Sequence, residues 1–194
     1  MLIFQVPGLS SAAVRLCRCG FILNTKHSGS AAYQALLARS EVAMSDIGIS
    51  GTADELAQRL LQCVGAGTVL ITEMLPDRHV VHGYCGPRLP ERLRHELPIG
   101  YPVCEHTVEM GFPLIVDDAF NHPLLRGNPA VSELGIGSYA GAPVFRRNGR
   151  AAGTVCAMLP HIHRWNPEQI ESILTASRQA EEILFGDGST QRWS

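Results

Sequence analysis

Ser138-Tyr139-Ala140-Gly141-Ala142-Pro143-Val144-Phe145-Arg146-Arg147-Asn148-Gly149-Arg150-Ala151-Ala152-Gly153-Thr154-Val155-Cys156-Ala157-Met158 is the stretch that decides the fold. Asn148-Gly149 is the strongest short hairpin signal, because both residues accept the positive φ angles that tight hairpin turns demand. Residues 138–147 and 150–158 are therefore read as two antiparallel strands. Both are rich in small residues, which let another backbone or a ligand come close. A second hairpin lies upstream. Residues 68–74 are β-branched and apolar, and residues 79–84 return across Pro76-Asp77, a turn signal. Cys85-Gly86-Pro87 ends it. Hairpins dominate, so the sheet is expected to be largely antiparallel with helices packed on it, an α+β fold.

The helices announce their own ends. Thr52 followed by Glu55 is a capping box, and Leu56, Leu60, Leu61 and Val64 make the buried stripe behind it. Asn166-Pro167-Glu168 opens a long final helix. Ile170, Ile173, Leu174, Ser177, Ala180, Ile183 and Leu184 recur on one face, and Gly186 ends it. That stripe is longer than one sheet face requires, so a homodimer through the terminal helices is expected. Residues 1–30 carry no period and read as a poorly ordered leader. Residues 31–50 read as an N-terminal helix around Tyr33, Leu36 and Leu37, residues 52–186 as the main domain, and residues 187–194 as a tail.

Between the hairpins, residues 90–96 are read as a short helix or an irregular lid. Then come Tyr101-Pro-Val-Cys104-Glu-His106-Thr107-Val-Glu-Met-Gly111-Phe-Pro-Leu-Ile-Val-Asp117-Asp118. Pro102 fits a first helical turn and Gly111 a position just past a helix end. Residues 112–116 read as a strand that runs out into Asp117 and Asp118. Asn128-Pro129 through Glu133 and Gly135 spells a short helix, with a cap, a first-position proline, an acid in the first turn and a terminal glycine.

Composition excludes several classes. A net charge of −2 supplies no basic field for nucleic acid. The Arg146-Arg147 and Arg150 cluster sits at a hairpin tip and reads as solvated. No apolar run approaches a membrane span, and Pro7-Gly8 cuts short the apolar start, which has no basic flank. Six cysteines without an export signal imply reduced thiols in a cytoplasmic protein. Cys17 and Cys19 have no second Cys or His pair at zinc-finger spacing, and His161 and His163 fall in a loop.

Several pieces in order, Cys104-Glu-His106-Thr107-Val108, Pro113-Leu-Ile-Val-Asp117-Asp118-Ala119, Asn128-Pro129-Ala-Val, Gly135-Ile-Gly-Ser-Tyr139-Ala-Gly141-Ala-Pro143-Val, and Gly149 with Gly153-Thr154-Val155-Cys156, give residues 52–186 a resemblance to the GAF domain, a small-molecule sensory module of bacterial signalling proteins. The resemblance implies an antiparallel sheet of mixed strand order. Terminal helices cover one face and a ligand cavity lies on the other. One departure stands out. After the last strand, related domains carry an Asp and a basic loop. Here Met158-Leu-Pro160-His161-Ile-His163-Arg-Trp165 takes that place, without the carboxylate.

Cys104 and His106 suggest a metal or nucleophile pair, but residues two apart in a helix point about 200° apart. Cys104 shares a face with Thr107 and Val108 instead. Asp117 and Asp118 leave a strand on opposite sides, so capping the next turn is expected of them rather than joint acid–base chemistry. The expected ligand-binding set is Cys104, Thr107, Asp117, Asp118, Tyr139, Ala140 and Cys156, with no catalytic or metal set and an unknown cofactor. The function expected from the resemblance is a regulatory domain that binds a small molecule, relays through its terminal helices, and acts on a second copy or a separate output protein. Two alternatives come with the same fold. One is a cysteine-dependent reductase of free methionine sulfoxide, although the chain has no cysteine between Cys104 and Cys156. The other is a bilin photoreceptor, although the chain has no Cys-His dipeptide.

Overall fold

The computed structural model describes residues 51–186, apart from 66, 88, 101 and 102, and the backbone of two two-residue strands, β1 (Arg15–Leu16) and β2 (Ile22–Leu23), which pair antiparallel. The expected helix over 31–50, the tail, Pro102 and the rest of the leader lie outside the described residues.

Thr52 opens α1 (Ala53–Val64) as the sequence requires. Its hydroxyl accepts from the Glu55 amide at 3.2 Å, and the Glu55 carboxylate accepts from the Thr52 amide at 2.9 Å. The first hairpin follows as β3 (Thr68–Met74) and β4 (Arg78–Cys85). Residues 90–96 hold a 3₁₀ turn (Glu91–Leu93). A short strand that the pattern did not reveal, β5 (Glu96–Pro98), pairs with β4. Helix α2 spans Cys104–Met110 and starts after Pro102, with Gly111 left-handed at its end. Only Leu114–Val116 of the expected 112–116 pairs, as β6. Helix α3 (Pro129–Leu134) has the Asn128 cap and the left-handed Gly135, but Glu133 sits beyond its first turn. The deciding hairpin is β7 (Ser138–Phe145) and β8 (Ala151–Leu159). Helix α4 (Pro167–Phe185) closes the domain behind a second capping box, Asn166 with Gln169.

The larger sheet runs β5-β4-β3-β8-β7-β6, antiparallel at every pairing. Alternation along its strands feeds two cores. Val69, Ile71, Ala140, Ala142, Val144, Val155 and Ala157 face α1 and α4. Leu70, Val116, Tyr139, Cys156 and Met158 face α2, α3 and the loops. The small residues of the hairpin serve the chain itself. A side chain at Gly153 would sit 2.1 Å from the Thr72 carbonyl oxygen of β3, so only glycine permits that strand spacing.

The stripe of α4 is also used within the chain. Ile173, Leu174 and Ala180 are buried in the first core, and Ile170, Ile183 and Leu184 pack against it. Ser177, the polar member of the stripe, donates to the Pro143 carbonyl at 2.5 Å. Much of the stripe is therefore used within the chain, while Ile170, Ile183, Leu184 and Phe185 stay half-exposed at its ends. No helix among the described residues is long and apolar enough to cross a membrane.

Candidate functional site

The second core is unusual in its polar content. Six buried residues with polar atoms or thiols gather on the sheet face under α2: Thr72, Thr154, Cys156 and Tyr139 from the strands, Cys104 and Thr107 from the helix. Burying such groups costs free energy unless they pair, and these do. The Thr72 and Thr154 hydroxyls lie 3.0 Å apart, those of Thr107 and Tyr139 lie 3.1 Å apart, and the Cys104 and Cys156 sulfurs lie 3.5 Å apart. Register explains the grouping. Cys156 stands opposite Leu70 on one side and Gly141 on the other. The Tyr139 ring lies along its own strand over Gly141, where a Cβ would come within 2.2 Å of the phenol oxygen. The space opened by that glycine is filled by the chain's own tyrosine.

A third link, beside the Cys104 and Thr107 pairs, ties α2 to the sheet. Glu105 accepts from the Gly100 amide at 2.6 Å and lies 3.1 Å from Nε2 of His79 on β4. His79 is fully buried, and its Nδ1 has no hydrogen-bond partner among the described residues. Burial lowers its pKa below the usual 6.5, outweighing the opposite pull of Glu105. Helix α2 is thus held over β4, β8 and β7 by one polar pair to each.

Charge within the cluster is shared unequally. Cys156 acts as donor to Cys104 and brings that thiol from 9.0 down to about 7, against burial, with the Thr154 and Tyr139 hydroxyls helping. The same bond, and burial after it, push Cys156 well above the usual thiol range. Burial raises Tyr139 well above its usual value, and negative charge on the cysteines adds to that. Two thiols this close carry no more than one negative charge between them.

The expected residues divide. Cys104, Thr107, Tyr139 and Cys156 come together. Ala140 is not with them: it is one residue from Tyr139 on a strand, so it faces α1 and α4 in the other core. Asp118 caps its own loop, accepting from the Phe120 and Asn121 amides and the Asn121 side chain. Asp117 turns the other way and fastens the segment after β8. Its side chain accepts from the Trp165 amide at 3.2 Å, its carbonyl from the His163 amide at 3.0 Å, and the Trp165 indole donates to the Val116 carbonyl. The loop that lacks its own carboxylate is closed by Asp117, the residue just past β6. Thr72, Thr154, His79 and Glu105 are members the sequence reading missed. Thr154 was the accessible one, since it shares a strand face with Cys156.

The cavity beside this cluster is small, about 20 Å3, and bounded by aliphatic side chains such as Leu70, Leu89, Leu97, Val103 and Met158 together with Cys104. It has room for one molecule the size of water. Among the described residues no group of three or more His, Cys, Asp or Glu side chains is placed to hold a metal ion.

Residues 49–184 match the family model of the GAF domain. The chain belongs to the GAF domain family. No curated protein sequence matches it. Solved structures similar to this GAF domain have varied occupations. A free methionine-R-sulfoxide reductase from Neisseria meningitidis, solved with its substrate, is 22% identical with a TM-score of 0.56, over 83% of this chain and 93% of that one. The GAF domain of a phosphoenolpyruvate-protein phosphotransferase from Coxiella burnetii is 17% identical with a TM-score of 0.56, over 78% and 89%. A far-red cyanobacteriochrome photoreceptor is 12% identical with a TM-score of 0.54, over 76% and 92%. At these identities the likeness is one of fold.

Proposed function

We propose that this GAF domain is a sensory or regulatory module of bacterial signal transduction, working in the cytoplasm, where free thiols persist. A small molecule engages the layer between α2, the Asp117 loop and β7. The change passes through the sheet to α1 and α4, and from there to a second copy or a separate output protein. The observation that carries this reading is the buried polar cluster beneath α2. A helix held by three side-chain pairs has discrete contacts that a ligand's polar groups can replace. The cavity holds one water-sized molecule in this state, so a metabolite enters only as α2 or the 89–97 segment moves aside. Thermal-shift screening with cyclic nucleotides, small acids and aromatic metabolites tests this. Binding raises the melting temperature by mass action, and Tyr139→Ala removes that rise while the protein stays folded. If no compound shifts the wild-type protein, the domain is a structural module.

The thiol pair favours a second reading, reduction of free methionine sulfoxide. That reaction needs an attacking thiol and a resolving one: the sulfoxide oxygen leaves as water while the two thiols become a disulfide. Cys104 and Cys156 supply such a pair. The cavity of about 20 Å3 is too small for an amino acid unless it opens. Methionine formation by the wild-type protein, abolished in Cys104→Ser, establishes this reading, and absence of turnover in the wild type ends it.

A further inference from the structure

We propose that Cys104 and Cys156 form a peroxide-reactive dithiol, in which Cys104 attacks, Cys156 resolves, and the resulting disulfide fastens α2 to the central strand β8. Three observations support it. The two sulfurs are 3.5 Å apart on separate elements, 52 positions apart in the chain, and both residues are buried. A disulfide needs them at about 2.0 Å, an approach of roughly 1.5 Å that a side-chain rotation and a small shift of a two-turn helix supply. Second, Cys104 is itself part of the wall of the 20 Å3 cavity, whose other walls are largely aliphatic. A space with room for one water admits hydrogen peroxide, the smallest hydroperoxide, only as its aliphatic walls give slightly, and larger oxidants require a larger opening. Third, the environment distinguishes the two thiols. Cys104 is the one whose ionised form is favoured, by Cys156, Thr154 and Tyr139, and the thiolate is the reactive form.

The chemistry closes on itself. The Cys104 thiolate attacks one oxygen of hydrogen peroxide, an S–O bond forms and the O–O bond breaks. Hydroxide leaves and takes up the proton Cys104 gave up, becoming water. Cys156 then attacks the sulfenic sulfur, an S–S bond forms and the S–O bond breaks. The departing hydroxide takes the Cys156 proton and becomes a second water. Two thiols lose two electrons and two protons, and one peroxide accepts them. No metabolite is needed, so the linkage is read independently of any ligand screen.

The test uses the full chain, reduced and then exposed to graded hydrogen peroxide. The sample is quenched with catalase, denatured in N-ethylmaleimide, digested and analysed by mass spectrometry. The expected result is a dithiothreitol-sensitive peptide pair joining Cys104 to Cys156 that accumulates with dose. In Cys156→Ala, checked by circular dichroism, dimedone captures a sulfenic acid at Cys104. In Cys104→Ala it captures none at Cys156. Oxidation confined to Cys63 or Cys85, with the buried pair still alkylated, overturns the proposal through the wild-type arm alone. Capture at Cys156 in place of Cys104 overturns the assignment of roles.

Discussion

His79 shows how much one side chain can set. It is fully buried on β4, faces Glu105 from α2, and is held neutral by burial. Its folded-state pKa lies below the 6.5 of the unfolded chain. Between those two values the unfolded state binds more protons, so stability falls as pH falls through that window and levels off below it. His122, also lowered chiefly by burial, acts in the same direction. Urea unfolding followed from about pH 7.5 down to pH 5 should therefore show a falling midpoint. His79→Gln, which keeps a polar group near Glu105 and does not titrate, should reduce that slope, leaving what His122 and Cys104 add in the same direction and Glu181 in the opposite one. An unchanged slope in the variant would show that His79 titrates alike in both states.

Helix α2 has two turns, too few to be stable alone, so its place depends on what it touches. The Thr107–Tyr139 pair is one of its three polar attachments. Tyr139→Phe leaves the Thr107 hydroxyl buried and unpaired, at a cost of about 1–3 kcal/mol. Thr107→Val removes the other half of the pair and leaves the Tyr139 hydroxyl only its contacts with the cysteines. The double variant should cost less than the sum of the two by about 0.5–1.5 kcal/mol, read from denaturant midpoints. Strict additivity would mean that the two hydroxyls are not coupled. At this scale the sequence was legible wherever a local rule sets an end: Thr52 with Glu55, Asn128-Pro129 with Gly135, Asn148-Gly149 and Asn166-Pro167 all stand where expected. It was not legible where partners are distant. Strand β5 has three residues, too few for a period, and exists because β4 offers an edge. The meeting of Cys104 with Cys156 depends on how α2 lies across β8, which no spacing in the chain encodes.

At the scale of the molecule, the sheet separates a core that is almost wholly apolar from one with a polar centre. The final helix belongs to the first. Ile173→Ala should cost about 2–5 kcal/mol, whereas Gln179→Ala, on the half-exposed side, should stay within about 0.5 kcal/mol. Because the centre of the stripe is buried within the chain, the wild-type unfolding midpoint is expected not to move with protein concentration. A midpoint that rises with concentration would show that a second copy shares in folding. The α+β architecture and the two-faced sheet were readable from the hairpins and stripes. The length of the stripe was a weak ground for the homodimer, because α1 and both long central strands already meet much of it. One fastening carries a practical consequence. Trp165 is buried where the segment after β8 meets Asp117 and Val116, with its indole edge-on to His163. An indole in that position is a fluorophore built into the clasp. With Trp193 replaced by Phe, its emission colour reports whether that segment is shut, so its opening can be followed by light without attaching a dye.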